Sequence, residues 1–236
     1  MISVITACAD FNQGERVKSL MVSLSSWLLF PVDEIVIVDW GGEIADLPTD
    51  SRIKIIRVNL SNNVWVQTVA FNLAANNAVG EFILKLDCDH VLNPFQRFFC
   101  DHPLRAGLFY RGCHNFGKTY DECALNGVLY CCKNDFFSVN GYSEMIRSYG
   151  GDDTDLYKRL KENGVEEKII QNNSVIHLHH GDGFRNVGET KMRDLVESIK
   201  RNKTNLKYCN KPHHKFDIEW TGNVGRTFYH GRKFFI

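Results

Sequence analysis

Short apolar runs alternate with segments of helical periodicity along the first part of this 236-residue chain. The runs "SVITA", "EIVIVDW", "RIKIIRV" and "EFILKLD" are continuous rather than alternating, which is typical of strands buried on both faces. After the first run, apolar residues recur at helical spacing and predict a helix that ends before Pro31 (Val17, Leu20, Met21, Leu24 and Leu28). A second helix is predicted over 64–78, with Gly80 as its C-terminal stop. This order predicts a mostly parallel sheet with helices on both faces.

The second half continues the α/β pattern with less regular spacing. One strand is predicted in "NGVLYCC" and another in "SVIHLHH". Between them, "DDTDLYKRLKENG" predicts a helix, because three Asp residues stand in its first turn and Gly164 follows its basic last turn. Residues 189–203 are amphipathic. Since no internal repeat or low-complexity linker interrupts the chain, we expect a single α/β domain with a helical or irregular C-terminal extension.

The composition is that of an ordinary globular protein, 44% hydrophobic and 24% charged. No window approaches the ~18 consecutive apolar residues of a membrane span, and the start "MISVITACAD" lacks the basic and long apolar regions of a signal peptide. The eight cysteines show no paired CxxC spacing, so a thiolate zinc site is not expected. We therefore expect a cytoplasmic protein with reduced thiols.

Charge is unevenly distributed along the chain, although the net charge is zero. From Lys191 onward there are 11 Lys and Arg residues and 4 Asp and Glu residues, a charge of +7, and the preceding part carries −7. The last stretch, "KPHHKFDIEWTGNVGRTFYHGRKFFI", interleaves aromatic and basic side chains. Two interpretations stay open. The extension packs its aromatic residues on the domain, or it contacts an anionic partner such as a phosphate-bearing acceptor, a membrane surface or nucleic acid.

Two carboxylates end the apolar run in "FILKLDCDHVLNP". Asp87 and Asp89 follow the predicted strand, where a buried carboxylate is costly unless a cation meets it. In parallel sheets ligands bind beyond the carboxyl ends of the strands, and Asp39 lies at another such end. A pair of carboxylates there suits a divalent cation whose other ligands are substrate phosphates. The alternative is a turn in which both Asp side chains cap backbone N–H groups.

Two further groups carry candidate chemistry. Asp152 and Asp153 stand at a predicted helix start, where the helix dipole favours ionised carboxylates that can accept a proton from a hydroxyl. Acidic residues also stabilise any helix at this position, so a purely structural role is the alternative. In "VIHLHHGDG", His177 and His179 are predicted on one strand face, and His180 follows. Imidazoles beside carboxylates can complete a site for Mn²⁺ or another transition metal.

Together these segments resemble GT-A fold glycosyltransferases that use nucleotide sugars, over roughly residues 3–180. "SVITACADFNQGERVKSLMVSL" resembles the opening strand and helix of family 2 enzymes, "IVIVDWGG" their "VVDDGS" segment, and "LDCDHVL" their Asp-x-Asp strand end. "NGVLYCCKNDFFSVNGYSEMIRSYGGDDTDLYKRL" is similar to the C-terminal galactosyltransferase segment of β-1,4-galactosyltransferases, which reads like "GGV…F…NGF…WGGEDDDL". This long spaced match is the specific part of the resemblance.

The resemblance implies roles for individual residues. A nucleotide-sugar donor would be bound by residues near the strand ends and in the second helix (Ala7, Asp10, Asp39, Asn72, Lys85, Asp87, Cys88 and Asp89). The metal, Mn²⁺ or Mg²⁺, would be held by carboxylates and imidazoles (Asp87, Asp89, His177 and His179, with His180 as an alternative). The acceptor would be bound just before and at the start of the helix in the second half (Tyr149, Gly151 and Asp152). Asp153 would be the catalytic base, with Asp152 beside it.

Three positions depart from the galactosyltransferase pattern. Leu73 in "AFNLA" replaces the Arg of "FNRA" that helps to hold the nucleotide, so either Lys85 or Arg57 supplies that cation or donor binding differs. Trp40 replaces the second Asp of the "VDD" segment, and either stacks on the donor or packs in its loop. Tyr149 replaces a Trp, which argues against β-1,4-galactosyl specificity.

The resemblance implies an inverting, metal-dependent transfer of a hexose from a UDP-sugar such as UDP-Gal, UDP-Glc or UDP-GalNAc to a hydroxyl of a glycan, glycolipid or other acceptor. It implies a GT-A domain over 1–188, with a nucleotide-binding half (1–93) and an acceptor-binding half (94–188), followed by the basic extension 189–236. A sugar nucleotidyltransferase is the first alternative, although "ACADFNQGER" is a poor version of its Gly-rich phosphate loop. A non-catalytic sugar- or nucleotide-binding module is the second.

Overall fold

A computed structural model describes residues 1–9, 14–42, 44–61, 64–112, 124–147, 150–170, 173–180 and 213–230. The strands in these ranges are β1 (Ile2–Cys8), β2 (Glu34–Trp40), β3 (Ile53–Leu60), β4 (Phe82–Lys85), β5 (His90–Leu92), β6 (Leu108–Arg111), β7 (Leu129–Cys132), β8 (Glu166–Ile169), β9 (Val175–His177), β10 (Glu219–Thr221) and β11 (Val224–Tyr229). The α-helices are α1 (Glu15–Trp27), α2 (Gln67–Asn77), α3 (Phe98–Asp101), α4 (Lys133–Ser138) and α5 (Asp152–Glu162), and a 3₁₀ helix spans Ala124–Gly127. The strands and helices predicted within the described residues are confirmed at their approximate bounds.

Nine strands form one sheet in the order β10–β11–β3–β2–β1–β4–β7–β6–β8. The five strands from β11 to β4 in this order run parallel to one another. β7 is antiparallel to both β4 and β6, and β8 returns parallel to β6. The mostly parallel sheet predicted from the continuous apolar runs is confirmed. Because β2, β1 and β4 lie side by side, Asp39 and the Asp87 turn occupy the same edge of the sheet.

Both faces of the sheet are covered by apolar side chains. Helix α2 packs on one face, with Val69 and Phe71 in the core, and helix α1 packs on the other with Leu24 and Trp27. Trp27 also reaches the strand after the Asp-x-Asp turn, where its indole N–H donates to the carbonyl of His90 at 2.8 Å. Helix α1 therefore helps to fix the position of β5 at the carboxyl edge.

A small two-stranded sheet joins the two halves of the chain. β5 and β9 are antiparallel, and His90 lies opposite His177 in their register. This pairing brings the residue that follows the Asp-x-Asp sequence beside the predicted histidine cluster.

Part of the C-terminal extension completes the central sheet. β11 pairs in parallel with β3, and β10 lies beyond it at the edge. Tyr229 is buried, and its ring centroid lies 4.9 Å from that of Trp40. The structure differs here from the expected helical or irregular extension, because alternate residues of β11 are buried against the domain. The amphipathic segment 189–203 and the expected boundary at residue 188 lie outside the described residues.

The described helices include none that is both long and apolar enough to cross a membrane. The cysteines in the described ranges are free thiols (Cys8, Cys88, Cys100, Cys131 and Cys132).

Candidate active site

The Asp-x-Asp sequence forms the turn between β4 and β5, beyond the carboxyl end of the sheet. The N–H of His90 donates to the carbonyl of Asp87 at 3.1 Å, and the N–H of Leu178 donates to the carbonyl of Asp89 at 2.8 Å. These bonds hold the turn against the chain that follows β9. The carboxylates of the turn and the histidines of "HLHH" therefore belong to one site.

Asp89 forms a compact group with two histidines. Its Oδ2 lies 3.1 Å from Nε2 of His180 and 3.9 Å from Nε2 of His177, and one ligand atom from each of the three residues lies within 4.8 Å of the others. Burial raises the pKa of Asp89, but a hydrogen bond from His180 and the charges of nearby imidazoles outweigh it and hold that pKa well below its ordinary value. An ionised carboxylate with two imidazoles is a donor set that fits Mn²⁺ or a related cation.

His90 belongs to a second group, with Asp87 and Asp89. Its side chain is buried, and the backbone N–H of Asp87 donates to its Nδ1 at 3.1 Å. A neutral imidazole that accepts at Nδ1 carries its proton on Nε2. This Nε2 has no hydrogen-bond partner among the described residues, and it lies 4.0 Å from Oδ2 of Asp87 and 3.9 Å from Oδ1 of Asp89. His90 therefore lies beside both carboxylates without a hydrogen bond to either, in a group that could itself hold a metal ion.

The histidine that follows His177 on the predicted strand face does not join these groups. β9 ends at His177, so strand alternation does not extend to His179, whose side chain is exposed. The chain instead brings His180 to Asp89. Within the described part of the chain, the groups able to hold a metal thus contain His177 and His180 but not His179.

Lys85, expected at the donor, is fully buried between two carboxylates. Its Nζ lies 2.8 Å from Oδ1 of Asp87 and 3.7 Å from Oδ1 of Asp153. The ring of Phe71 packs against it, with its centroid 4.3 Å from Nζ. Burial lowers the pKa of Lys85, but the charges of Asp153 and Asp87 outweigh burial and raise the pKa above its ordinary value. Lys85 is therefore a buried cation that links the Asp-x-Asp turn to α5.

Asp152 and Asp153 begin helix α5, after Gly151 in the left-handed conformation with φ 90°. Oδ1 of Asp153 accepts a hydrogen bond from the Tyr142 hydroxyl at 2.9 Å. Burial, and next the charge of Asp153, raises the pKa of Asp152 to about 7, and Oδ2 of Asp152 has no hydrogen-bond partner among the described residues. Burial also raises the pKa of Asp153, against the opposing charge of Lys85. Burial thus raises the pKa of both carboxyl groups toward the neutral range that suits general acid–base chemistry.

Asp39 lies at the end of β2 and forms an ion pair across the sheet. Its Oδ2 lies 2.7 Å from Nη1 of Arg57 and accepts the N–H of Ile44 at 3.2 Å. Lys85 and Arg57 are the two candidates to replace the nucleotide-binding Arg of the galactosyltransferases. Of these, Arg57 lies beside Asp39. Trp40 is 1% exposed and donates its indole N–H to the carbonyl of Val64 at 2.9 Å, which fits the packing interpretation.

The other donor candidates that the structure describes are buried parts of the framework. Ala7 lies within β1, Cys88 is buried between the two Asp residues, and Asn72 lies in α2 with 1% exposure. Asn72 accepts the N–H of Tyr142 at 2.9 Å and donates to the carbonyl of the same residue at 2.8 Å. In this structure its amide therefore anchors the segment that carries Tyr142. Two candidates lie outside the described residues (Asp10 and Tyr149).

Sequence reasoning assigned no role to three residues of this site: His90, Tyr142 and Gly127. His90 adjoins the Asp-x-Asp sequence, which was the available signal. Tyr142 and Gly127 lie far from that sequence along the chain, and their available signal was their place in the "NGY" and "NGV" parts of the segment that resembles galactosyltransferases. A Cβ atom added at Gly127 would lie 2.5 Å from Oδ2 of Asp87, so the fold brings this residue into the site by close backbone approach.

Comparison with known proteins points to one class of enzyme. Residues 109–181 match a family model described as the N-terminal domain of galactosyltransferase. This span contains Asp152, Asp153 and the histidine cluster. The expected C-terminal placement of the segment in those enzymes is not confirmed, and neither is the likeness to family 2. Among curated proteins, none matches this sequence.

Solved structures share the architecture across most of the chain. A mutant of Drosophila β-1,4-galactosyltransferase 7 in complex with manganese, UDP-Gal and xylobiose is 13% identical, with a TM-score of 0.55 over 97% of this chain and 92% of that chain. The catalytic domain of the same enzyme in complex with xylobiose has a TM-score of 0.56 at the same identity and coverage. The chain has a GT-A fold.

A bacterial protein also has a structure similar to that of this GT-A protein. S. aureus TarS 1–349 is 14% identical, with a TM-score of 0.53 over 86% of this chain and 71% of that chain. At such identities the likeness shows the fold alone. The family match and the GT-A fold together support a glycosyltransferase. Nucleic acid and membrane partners find no support among these matches.

Proposed function

We propose that this GT-A protein is a metal-dependent glycosyltransferase that moves a hexose from a UDP-sugar to an acceptor hydroxyl with inversion. The observation that carries the proposal is a cation site beside a candidate base: Asp89, His177 and His180 form the cation site, and Asp153 is tied to the same turn through Lys85. Both lie beyond the carboxyl ends of the parallel strands, where ligands bind in open α/β sheets.

On the donor side, Asp89, His177 and His180 would hold Mn²⁺, with Asp87 beside them. The bound metal would neutralise the diphosphate and stabilise it as a leaving group. His90 supports this arrangement because its buried imidazole lies beside both carboxylates, with Nε2 4.0 Å from Asp87 and 3.9 Å from Asp89. The donor set mixes carboxylates and imidazoles, which favours Mn²⁺ over Mg²⁺.

On the acceptor side, Asp153 would take the proton of the attacking hydroxyl, and Asp152 would hold that hydroxyl by a hydrogen bond. Tyr142 occupies Oδ1 of Asp153, which leaves the other carboxylate oxygen to face the acceptor. In a single in-line displacement the bond from the acceptor oxygen to the anomeric carbon forms and the bond to the diphosphate breaks. The sugar configuration is therefore inverted, and the proton ends on Asp153. Orientation and charge stabilisation would supply most of the acceleration.

The proposed donor and acceptor classes rest on the similar solved structures and on the positions of residues in the candidate site. The Drosophila structure contains manganese, UDP-Gal and xylobiose, which supports a UDP-hexose donor and a glycan acceptor for this chain. Asp39, held by Arg57 at the end of β2, is the residue that would contact the nucleoside. A panel of UDP-Gal, UDP-Glc and UDP-GalNAc would identify the sugar.

Calorimetric titration of UDP tests this proposal. We expect UDP to bind in the presence of Mn²⁺, and expect that binding to be lost in EDTA and in Asp89→Ala. Asp101→Ala is the matched control, because Asp101 is a carboxylate of α3 that pairs with Arg97 rather than with the histidines. UDP binding that is unchanged in EDTA or in Asp89→Ala would overturn the metal-dependent assignment.

A further inference from the structure

Lys85 is fully buried, so its side chain is not available to a ligand at the protein surface. It is the last residue of β4, its side chain is 0% exposed, and its ammonium nitrogen lies 4.3 Å from the centroid of the Phe71 ring. A buried ammonium group is costly unless carboxylates compensate its charge. Two carboxylates do so, those of Asp87 at 2.8 Å and Asp153 at 3.7 Å. With this burial, Lys85 acts through these carboxylates and not by direct contact with the donor.

The two carboxylates belong to different parts of the proposed site. Asp87 lies in the turn that holds the metal, and Asp153 lies in the first turn of α5, where the acceptor would bind. Tyr142 donates its hydroxyl to the same Oδ1 of Asp153 that faces Lys85. The ammonium group of Lys85 is therefore the direct ionic link between the metal turn and the candidate base.

The backbone leaves room for this link at one residue. A Cβ atom added at Gly127 would lie 2.9 Å from Nζ of Lys85 and 2.5 Å from Oδ2 of Asp87. Both distances are shorter than a Cβ atom tolerates, so a side chain at 127 would require the ammonium or the carboxylate group to shift. The 3₁₀ helix that ends at Gly127 thus closes over the Lys85–Asp87 pair.

We propose that Lys85 is a positioning residue that couples the metal site to Asp153, an inference that rests on the proposed function. One ammonium group is shared between two carboxylates, so a change at either carboxylate alters its interaction with the other. A divalent cation that interacts with the Asp87 carboxylate would weaken the ion pair between Asp87 and Lys85. Lys85 would then interact more strongly with Asp153. Conversely, removal of the Asp153 charge leaves Lys85 mainly to Asp87, where it opposes the cation. A lysine that only stabilised the fold would produce no such coupling.

A thermodynamic cycle on Mn²⁺ binding tests the coupling without the need to know donor or acceptor. The dissociation constant for Mn²⁺ alone is measured by calorimetry in the native chain, Asp153→Asn, Lys85→Met and the double variant. We expect Asp153→Asn to weaken Mn²⁺ binding by about tenfold when Lys85 is present and by less than about twofold in the Lys85→Met background. The long-range effect of the Asp153 charge on the cation is present in both backgrounds, and the cycle removes it.

Two further variants distinguish a loss of coupling from a general loss of structure. Lys54→Met removes a lysine that pairs with buried Glu34 at 2.8 Å, away from the metal turn, and Asp153→Asn should have its native effect in this background. Gly127→Ala keeps both charges but requires the ammonium or the carboxylate group to shift, so it should reduce the coupling in the same direction as Lys85→Met. The Gly127→Ala cycle carries the test if Lys85→Met does not fold.

The outcomes separate this inference from the proposed function. Equal weakening of Mn²⁺ binding by Asp153→Asn with and without Lys85 would overturn the coupling, even if the native chain binds UDP with Mn²⁺. If the cycle shows the coupling but UDP does not bind, the role of Lys85 is supported and the proposed UDP-sugar donor is contradicted. If the native chain binds no Mn²⁺, both proposals fall.

Discussion

The hydroxyl of Tyr142 donates to Oδ1 of Asp153 at 2.9 Å, and the backbone of Tyr142 is itself held by the side chain of Asn72. A chain of hydrogen bonds therefore runs from helix α2 to the candidate base at the start of α5. All three residues are largely buried, so the position of the Asp153 carboxylate is set by the packed core and not by a surface loop.

Tyr142→Phe should slow the reaction without weakening donor binding. The variant keeps the buried ring and removes the hydrogen bond to Asp153, which is worth about tenfold or more for a charged acceptor. We expect kcat for UDP release from UDP-Gal to fall by about that factor, with little change in KM. Tyr157→Phe is the control, because its hydroxyl donates to the carbonyl of Asn126 at 2.6 Å. An equal loss of kcat in both variants would show that Tyr142 acts only through stability.

Single histidine substitutions should distinguish the metal ligands. Because His177 and His180 lie beside Asp89 and His179 is exposed, His177→Ala and His180→Ala should each weaken Mn²⁺ binding by about tenfold or more, and His179→Ala should change it little. The measurement is calorimetry with Mn²⁺ alone. A loss of affinity in His179→Ala that equals the loss in His180→Ala would contradict this placement of the cluster.

Arg57→Met should destabilise the fold and weaken UDP binding together. The side chain of Asp39 is only 3% exposed, so removal of its partner leaves a buried carboxylate without its cation. We expect the free energy of unfolding to fall by about 2 kcal/mol, since Arg57 is itself partly exposed. Arg226→Met is the matched control, because Arg226 lies opposite Arg57 in the register of β11 and β3 but is exposed. UDP affinity that is unchanged in Arg57→Met would argue against a nucleoside site at Asp39.

The raised pKa of Asp152 predicts how stability depends on pH. Burial and the charge of Asp153 raise the pKa of Asp152 from 3.8 to about 7, so the folded state binds the proton more tightly than the unfolded state. The stability that this proton contributes is fully present below about pH 4 and is lost as pH rises through about 7.

Asp152→Asn removes this titration and should be stabilising at high pH. We expect its advantage over the native chain to grow by on the order of 2 kcal/mol between pH 5 and pH 8, measured by urea unfolding in EDTA. The same pH dependence in both proteins would show that Asp152 titrates at its ordinary pKa.

Much of the fold was predictable because its signals are local. The continuous apolar runs of β1 to β4 and the helical spacing behind them require only neighbouring residues to be read. The strand ends then place Asp39 and Asp87 on one edge, since the carboxyl ends of parallel strands meet there. Helix α5 was predictable for the same reason, from its acidic first turn and Gly164.

Contacts between distant parts of the chain were not predictable in this way. The sequence places Lys85 next to Asp87 but contains no sign that its ammonium group also reaches Asp153. The choice of His180 over His179 depends on where β9 ends, which periodicity alone does not show. The pairing of β11 with β3 joins the C-terminal part of the chain to its first half, so the sequence alone predicted an extension where a sheet edge forms.

Product formation tests the central claim most directly. The native chain would be incubated with Mn²⁺, each of UDP-Gal, UDP-Glc and UDP-GalNAc, and a set of glycan acceptors that includes xylobiose. UDP and glycosylated product would be quantified by mass spectrometry. We predict metal-dependent formation of both, with a rate at least about 100-fold lower in Asp153→Asn, which should still bind UDP when Mn²⁺ is saturating. If the native chain binds UDP with Mn²⁺ but forms no product from any donor, or if Asp153→Asn is as fast as the native chain, the proposed catalysis is contradicted.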